Sequence, residues 1–353
     1  MDYPVAPVIR HAVVDALDRG DLGYPDWPGN PLGDVFASRM QVRFGWSPDP
    51  GHVRGVTDLI QALQVSLRLA TEPDDGVIVH TPSYPPFLAT IASMRRVVVP
   101  APLLPDGPDS WTWDHDQLRR AARAGNAKIL LLVNPHNPTG RVFTRDELTC
   151  LAELADELDL LVIADEIHAD LAYHPHVHTP FALLDSNTAT RTVTITSATK
   201  AFNIAGLRTA VAHVAPAALR SAWDAQPPDL FGALNVLGVE ATRAAWTHGD
   251  EWLTTVRRHL HAQRDELLCR LTGTPLVMRP PQATYLAWID TSRAQLRDDP
   301  TTWFRRHARL ELSRGADFGP GNERFVRVNF ATSRNLLHVM IDAALAAALD
   351  AGR

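Results

Sequence analysis

The alternation of short β-rich runs with longer amphipathic segments in the middle of the chain most restricts the possible fold. The β-rich runs are almost uniformly apolar, which is typical of parallel strands that are covered on both faces. Helical patterns separate several of them, so we predict an α/β fold with a mainly parallel sheet and helices on both faces. The predicted strands are Val77–Val79, Arg96–Val99, Ile129–Val133, Leu160–Ala164, Thr192–Thr196 and Ala210–Val214.

Two of the intervening helices are predicted from capping patterns at their N-termini. Asp114 is placed to cap a helix over Leu118–Ala124. Thr144 and Glu147 have the spacing of a capping box at the start of a helix over Arg145–Leu158. Helices that follow strands in this way fit the crossover connections of a parallel sheet.

The C-terminal third has a different pattern of predicted secondary structure, in which long helices precede a few strands. These features are typical of an α+β unit, and clustered prolines at 100–108 and 227–228 are interpreted as surface connections. We predict a large domain over residues 40–240 and a smaller domain formed by residues 1–39 with 241–353. The predicted elements of the C-terminal unit are helices over Leu230–Thr247, Glu251–Leu271 and about Arg334 to Leu349, and strands over Thr284–Ile289 and Phe325–Phe330.

Length, charge and cysteine content exclude several other classes of protein. A chain of 353 residues fits about two domains. It has 34 lysines and arginines against 40 aspartates and glutamates, and this net charge of −6 predicts no nucleic-acid partner. No apolar run approaches the ~18–20 residues of a membrane helix, and no signal-peptide pattern is present, so we expect a cytoplasmic protein. Cys150 and Cys269 form no CxxC motif and are predicted to be small core residues.

The segment TSATKAFNIAGLR carries the strongest chemical signal. It follows a predicted strand, at the end of the strand where open α/β sheets bind ligands. Lys200 lies among hydroxyl groups, those of Ser197 and Thr199. With Arg208 further on, this setting fits a lysine that forms a Schiff base beside a phosphate-bearing cofactor. A P-loop is excluded because GxxxxGK is absent, and a merely solvated lysine is the other interpretation.

Two further strand ends carry polar side chains. Asp165 comes directly after an apolar run in LLVIADEIHADL, and His168 follows shortly. A carboxylate at this place is either a helix cap or metal ligand, or the partner of a cationic group such as a pyridinium nitrogen. Asn137 lies in VNPHNPTG after another predicted strand. It is either part of a plain proline turn or an amide donor to a phenolate-like oxygen.

A cluster of three histidines follows in YHPHVHTP. His174, His176 and His178 alternate along this loop, and three imidazoles can bind zinc. No carboxylate or cysteine nearby has the spacing of a further ligand. We therefore interpret the histidines as a compositional cluster and expect no metal.

Taken together, these segments resemble those of the fold-type-I pyridoxal-phosphate enzymes, the aminotransferase class I/II superfamily. The resemblance covers nearly the whole chain and is closest to the cystathionine β-lyase or C–S lyase branch of the MalY and PatB type. The motifs that carry it are GYPDW at 23–27, TPSYPPF at 81–87, NPHNPTG, ADEIHADL, SATKAFNIAGL, PQATYLAWID at 281–290 and FVRVNFA at 325–331.

The resemblance implies pyridoxal 5′-phosphate as the cofactor and a role for each matching residue. Lys200 would hold the cofactor covalently and, once displaced by substrate, move the Cα proton. Asp165 would pair with the pyridine nitrogen. Asn137, helped by His168, would hydrogen-bond the 3′ oxygen of the ring, and Tyr84 would stack on the ring face.

The same resemblance assigns the phosphate group and the substrate carboxylate. Tyr24 would reach across a subunit interface to the neighbour's phosphate, which implies a homodimer. Arg327 would clamp the α-carboxylate of an amino-acid substrate bidentately, which lysine does poorly. The phosphate would be held by Ser197, Thr199, Arg208 and the backbone amides of Val56 and Thr57 at the start of a helix.

The resemblance favours a carbon–sulfur β-lyase that cleaves cystathionine or related cysteine thioethers to thiol, pyruvate and ammonia. The motif ADEIHADL favours this reaction, because His168 stands where many aminotransferases have tyrosine. An aminotransferase on the same scaffold is one alternative, and a regulatory partner-binding protein is another. The complete set of matching residues disfavours a purely regulatory role. Gln282 stands where the branch commonly has glutamate, and we expect little effect on the chemistry.

Overall fold

The computed structural model describes residues 1–20, 22–27 and 30–351, and these residues form a seven-stranded sheet, a four-stranded sheet and a two-stranded hairpin. The strands are β1 (Val53–Val56), β2 (Gly76–Thr81), β3 (Val97–Pro102), β4 (Leu104–Asp106), β5 (Ser110–Thr112), β6 (Ala127–Val133), β7 (Leu161–Asp165), β8 (Thr192–Thr196), β9 (Ala210–Val214), β10 (Val277–Met278), β11 (Leu286–Asp290), β12 (Ser313–Arg314) and β13 (Phe325–Asn329).

The seven-stranded sheet has the order β3-β2-β6-β7-β8-β9-β1. Every strand is parallel to the others except β9, which is antiparallel to both of its neighbours. The predicted α/β class with a mainly parallel sheet is therefore confirmed, and each predicted strand of this region has its counterpart. The interpretation of the prolines at 100–108 is wrong for Pro100 and Pro102, which lie in β3. That strand is at an edge of the sheet, where a missing amide donor is tolerated.

Helices connect and cover the strands. They are α1 (Pro7–Asp18), α2 (Gly33–Phe44), α3 (Leu59–Ala70), α4 (Pro85–Ser93), α5 (His115–Ala124), α6 (Arg145–Glu157), α7 (Ser186–Thr190), α8 (Ala217–Asp224), α9 (Val236–His248), α10 (Asp250–Leu271), α11 (Pro300–Ala308) and α12 (Arg334–Asp350). None of these described helices has the length and apolar character needed to cross a membrane.

Both predicted caps are present. The Asp114 carboxylate accepts a hydrogen bond from the Gln117 amide at 2.8 Å, so α5 begins at His115, earlier than predicted. At the start of α6, the Glu147 amide donates to Thr144 Oγ1 at 3.2 Å and the Thr144 amide donates to Glu147 Oε2 at 2.7 Å. These bonds satisfy amides that have no partner inside the helix.

The two faces of the large sheet bury separate apolar clusters. Alternate residues of a strand point to opposite faces, so Ile129 and Leu131 lie on one side of β6 and Leu130 and Leu132 on the other. Side chains of α3, α4 and α8 cover the first face, and side chains of α5 and α6 cover the second. This double cover accounts for the uniformly apolar strands.

The four-stranded sheet, of order β10-β11-β13-β12, is antiparallel and packs with α10, α11 and α12. The predicted helix over Leu230–Thr247 begins too early. Residues 228–231 form a 3₁₀ turn, and α9 starts only after Asn235, whose side chain accepts the Gly238 amide at 2.6 Å. The cysteines are also misassigned, because both lie exposed on helices rather than in the core. The domain division at residues 39 and 240 stays a prediction.

Candidate active site

A cavity of about 750 Å³ lies at the carboxyl ends of three adjacent strands. Asp165 is the last residue of β7, while Asn137 follows β6 and Lys200 follows β8. These strands are neighbours and parallel, so their ends meet at one edge of the sheet. The predicted residues that line the cavity are Thr57, Tyr84, Asn137, Asp165, His168, Ser197, Thr199, Lys200, Arg208 and Arg327.

Two predicted site residues lie elsewhere. Val56 is the last residue of β1, pairs with Ala210 and buries its side chain in the core. The helix expected to open at Val56 and Thr57 begins at Leu59, so that part of the prediction is wrong. Tyr24 is fully exposed and lies beside Leu234 on a different part of the surface.

The Asp165 carboxylate is buried without a charged partner. Its Oδ1 accepts one hydrogen bond, from the Ile167 amide at 3.0 Å, and among the described residues it forms no ion pair. Its pKa is raised from 3.8 to about 7, chiefly by burial; the Ile167 hydrogen bond and the Lys200 charge oppose this rise, and the nearby Glu166 adds to it. An uncompensated carboxylate inside a protein is costly, so this site favours a bound cation.

Lys200 and His168 face the same space. Burial, together with the Arg327 charge, lowers the pKa of the Lys200 ammonium, while Asp165 partly counteracts this. The pKa of His168 is lowered to about 3, chiefly by burial and also by the Lys200 and Arg327 charges, so this imidazole is neutral at physiological pH. Its Nδ1 is buried without a hydrogen-bond partner among the described residues.

These observations test whether the residues fit pyridoxal phosphate, the cofactor implied by the sequence resemblance. A buried carboxylate without a cation suits a protonated ring nitrogen. A neutral imidazole with an unsatisfied nitrogen suits a ring oxygen or its proton. An amine whose pKa is lowered by burial suits Schiff-base chemistry. The residues therefore fit the group.

The opposite wall of the cavity carries a fixed guanidinium. Arg327 in β13 donates from Nη1 to Asn137 Oδ1 at 2.9 Å and from Nη2 to Ser313 Oγ at 3.2 Å. Its guanidinium also lies 4.9 Å from the ring centre of Phe318. These contacts orient the planar group so that its remaining donors are available to a carboxylate.

Hydroxyls and an ion pair form the end of the cavity nearest α3. Ser197 Oγ donates to the Thr209 carbonyl at 2.6 Å and accepts from the Thr199 amide at 3.0 Å. Arg208 has a left-handed backbone and forms an ion pair with Asp58. Asp58 also caps α3 by accepting the Gln61 amide at 2.8 Å. A helix N-terminus, hydroxyls and an arginine are the usual components of a phosphate site.

Asp58 and Tyr285 also line the cavity, although the sequence analysis assigned no role to either. Asp58 was detectable as a helix cap, because it directly precedes the apolar pattern of α3. Tyr285 lies within the PQATYLAWID motif but was given no role. Its buried ring is 6.1 Å from that of His168, and burial raises its pKa to about 12, so it is a neutral hydrogen-bond donor.

The loop that carries Asn137 is fixed by contacts with residues 281–283. Gly140 has a φ of 72°, and a Cβ at this position would lie 2.3 Å from Pro281 Cβ. The Gly140 carbonyl accepts the amides of Gln282 at 2.9 Å and Ala283 at 3.0 Å. Gln282 Oε1 in turn accepts from Arg141 Nη1 at 2.8 Å. Glycine is therefore required here by both backbone conformation and space.

The histidine loop does not contribute to the cavity. His178 is buried, with Nε2 lying 3.3 Å from Glu166 Oε2. Glu166 also accepts the Phe181 amide at 2.8 Å. Within the described residues, no group of three or more histidine, cysteine or acidic side chains is arranged to hold a metal ion.

Nearly the whole chain is similar in sequence and structure to known proteins. The profile of the family described as "Aminotransferase class I and II" matches residues 2–343. Cystathionine beta-lyase PatB of Bacillus subtilis is 33% identical over 337 residues, covering 94% of this chain and 87% of that protein. The cystathionine beta-lyase of Corynebacterium glutamicum is 31% identical, with 95% and 88% covered. The PLP-bound C-S lyase of Staphylococcus hominis has a TM-score of 0.93 at 28% identity, covering 99% of this chain and 91% of that chain.

Proposed function

The chain belongs to the aminotransferase class I and II family, and we propose that it is a pyridoxal phosphate-dependent carbon–sulfur β-lyase. Its substrate would be cystathionine or a related cysteine thioether, and its products a thiol, pyruvate and ammonia. The observation that carries the proposal is the convergence of Lys200, Asp165, Asn137 and Arg327 on one cavity. The names of the relatives support the choice of reaction.

Each end of the cofactor has matching residues in the cavity. Asp165 would balance the charge of the protonated ring nitrogen, and Asn137 and His168 would bind the ring oxygen. Ser197, Thr199 and Arg208 would bind the phosphate. When bound, pyridoxal phosphate supplies an electron-accepting ring that stabilises negative charge at the substrate Cα.

The proton transfer is assigned to Lys200. Because burial lowers its pKa, a larger fraction of this side chain is a neutral amine than for an exposed lysine. Once it is free of the cofactor, Nζ would take the proton from the substrate Cα. The thiolate would then leave with the C–S bonding electrons while the electron pair at Cα forms a Cα–Cβ double bond. Water would convert the remaining fragment to pyruvate and ammonia.

Arg327 would hold the substrate during this step. Its contacts with Asn137 and Ser313 fix the guanidinium plane. A bidentate pair with the α-carboxylate would leave the substrate little freedom to rotate about that end. The Cα proton would then be presented to Lys200 in a constant orientation, which contributes to rate.

The active unit is proposed to be a homodimer. Tyr24 is 105% exposed relative to a reference tyrosine and forms no hydrogen bond among the described residues. It lies beside Leu22, which is 54% exposed, and Leu234 in a surface depression of about 500 Å³. An exposed tyrosine among leucines is typical of a residue that is buried by a partner.

The test is to incubate the purified holoprotein with L-cystathionine and measure pyruvate and free thiol. We expect both products in equal amounts, and none with Lys200→Ala. A parallel assay supplies an ordinary amino acid with 2-oxoglutarate. Glutamate formation without thiol release would show an aminotransferase instead, and absence of both reactions would refute the proposal.

A further inference from the structure

A second cavity, of about 390 Å³, lies directly beside the active site. The two cavities share Tyr84, Ser313 and Arg327 in their walls. Because Arg327 also carries the proposed clamp for the substrate α-carboxylate, the second cavity opens beside the place where a substrate would be held. We call it the distal cavity, and its remaining walls include Arg305, Glu311, Leu312, Arg314, Asp317 and Phe318.

One side of the distal cavity is apolar. Phe318 is buried, and Leu312 is half-buried. The prolines that follow Tyr84 complete this side. Such a wall suits the methylene groups of a side chain, because they lose no hydrogen bonds on leaving water.

The other side of the distal cavity carries both signs of charge. Arg305 Nε donates to Glu311 Oε2 at 2.7 Å and Nη2 donates to Oε1 at 2.5 Å. Arg314 binds Asp299 at 2.8 Å and lies 3.9 Å from Asp317. The Asp317 carboxylate forms no closer contact among the described residues and is 56% exposed.

This balance of charge restricts the ligand. A ligand with only a negative charge would meet Glu311 and Asp317, and one with only a positive charge would meet Arg305 and Arg314. A wholly apolar group would displace some of the water around these charges without replacing its hydrogen bonds. A zwitterionic group can offer its carboxylate to an arginine and its ammonium to an acidic side chain at the same time.

We propose that the distal cavity binds the zwitterionic amino-acid end of the leaving group of a thioether substrate. The inference rests on the proposed lyase function and narrows its substrate class. The chain would favour thioethers that join two amino acids, such as cystathionine, over thioethers with a simple alkyl group. The methylenes of the leaving group would lie against the apolar side, between the scissile sulfur and the charged end.

The test compares L-cystathionine with S-ethyl-L-cysteine, which lacks the distal charges. We expect Arg305→Gln to lower kcat/KM for cystathionine about fivefold, the loss of one partly exposed charge contact, and to change it less than about twofold for S-ethyl-L-cysteine. Arg306→Gln is the matched control, because Arg306 is on the same helix but pairs with Asp298 outside both cavities. It should leave both substrates unaffected. If Arg305→Gln leaves the ratio of kcat/KM for cystathionine to kcat/KM for S-ethyl-L-cysteine unchanged, the inference is overturned.

A second variant should affect two charged substrates in opposite directions. Glu311→Gln removes the partner of Arg305 and one acceptor for the ammonium. We expect cystathionine to be cleaved less efficiently and S-(2-carboxyethyl)-L-cysteine, which has only a distal carboxylate, more efficiently. Added salt should lower kcat/KM for cystathionine more than for S-ethyl-L-cysteine. A parallel change for both charged substrates contradicts the inference.

A binding measurement separates this inference from the proposed function. Calorimetric titration of Lys200→Ala holoprotein, with and without Arg305→Gln, measures the affinity for cystathionine and S-ethyl-L-cysteine without turnover. If Arg305→Gln weakens the binding of cystathionine to Lys200→Ala protein but not the binding of S-ethyl-L-cysteine, the distal site is supported. This result would hold even if the unaltered protein cleaves no thioether and the lyase proposal is wrong. If the unaltered protein cleaves both thioethers and Lys200→Ala protein binds both with equal affinity, the distal-site proposal is refuted and the lyase proposal is retained.

Discussion

Replacement of Asp165 by asparagine is expected to change stability and activity in opposite directions. The asparagine side chain keeps the shape of the carboxyl group and can still accept the Ile167 amide at 3.0 Å. It removes the negative charge, which in the cofactor-free protein forms no ion pair among the described residues and is offset only in part by Lys200. The substitution therefore tests directly whether this carboxylate is kept for a ligand.

The magnitude follows from the pKa of Asp165. Burial raises that pKa from 3.8 to about 7. A raised pKa means that the stability present when the group is protonated is lost as the pH rises from the unfolded to the folded value. About three units at ~1.36 kcal/mol each give a loss of about 4 kcal/mol by pH 8, but only about 1.5 kcal/mol at pH 5. Asparagine avoids this loss because it stays neutral.

Thermal unfolding of the cofactor-free proteins measures the effect. For a chain of 353 residues, 4 kcal/mol corresponds to an increase in Tm of about 5 °C at pH 8. The gain at pH 5 should be less than half as large. Added pyridoxal phosphate should raise the Tm of the unaltered protein more than that of the variant, since the ring nitrogen restores the missing cation. Lyase kcat should fall in the variant.

Asp290 provides a matched control. It is also the last residue of a strand, and its carboxylate accepts the amide of Ser292 at 2.8 Å, but it is only partly buried. Asp290→Asn should therefore alter Tm by a similar small amount at both pH values. The reasoning fails if Asp165→Asn gives no stabilisation at pH 8, or the same stabilisation at pH 5 and pH 8.

Three further predictions concern the other site residues. Arg327→Lys keeps the charge but loses the bidentate geometry, so KM for cystathionine should rise about tenfold with a smaller change in kcat; a larger fall in kcat than rise in KM would contradict the clamp. His168→Phe should retain the cofactor, shift its visible absorbance and lower kcat about tenfold, the value of one hydrogen bond to the ring oxygen; an unchanged spectrum and rate would exclude that contact. Tyr24→Ala mixed with Lys200→Ala should regain activity, because one site of each mixed dimer has both residues; no recovery after verified subunit exchange would show that the sites are not shared.

The large sheet was predictable because the same sequence pattern, an apolar strand followed by a helix, occurs several times along the chain. Six strands are buried on one or both faces and are separated by helices with recognisable starts. β1 is only 4 residues long and half-buried at the sheet edge, so it carries too little apolar signal. Likewise, α9 begins after a segment whose composition suits a helix, and only the cap at Asn235 fixes the true boundary.

The positions of the site residues were predictable to the extent that topology determines them. Asn137, Asp165 and Lys200 all follow parallel strands, and such residues must converge if the strands are neighbours. The contact between Arg327 and Asn137 was not predictable, because it joins residues 190 apart and depends on how the two sheets pack. The ion pair of Arg208 with Asp58 joins residues 150 apart and is equally invisible to local patterns.

The hydrogen bonds at Gly140 have a consequence for how this protein could be modified. They join the loop of Asn137, which follows the large sheet, to the segment that leads into β11 of the other sheet. Residues 281–283 thus help to position the loop of Asn137 without lining the cavity. A library confined to cavity residues would overlook them. Substitutions in this segment would alter the support of Asn137 while every side chain that lines the cavity stays unchanged.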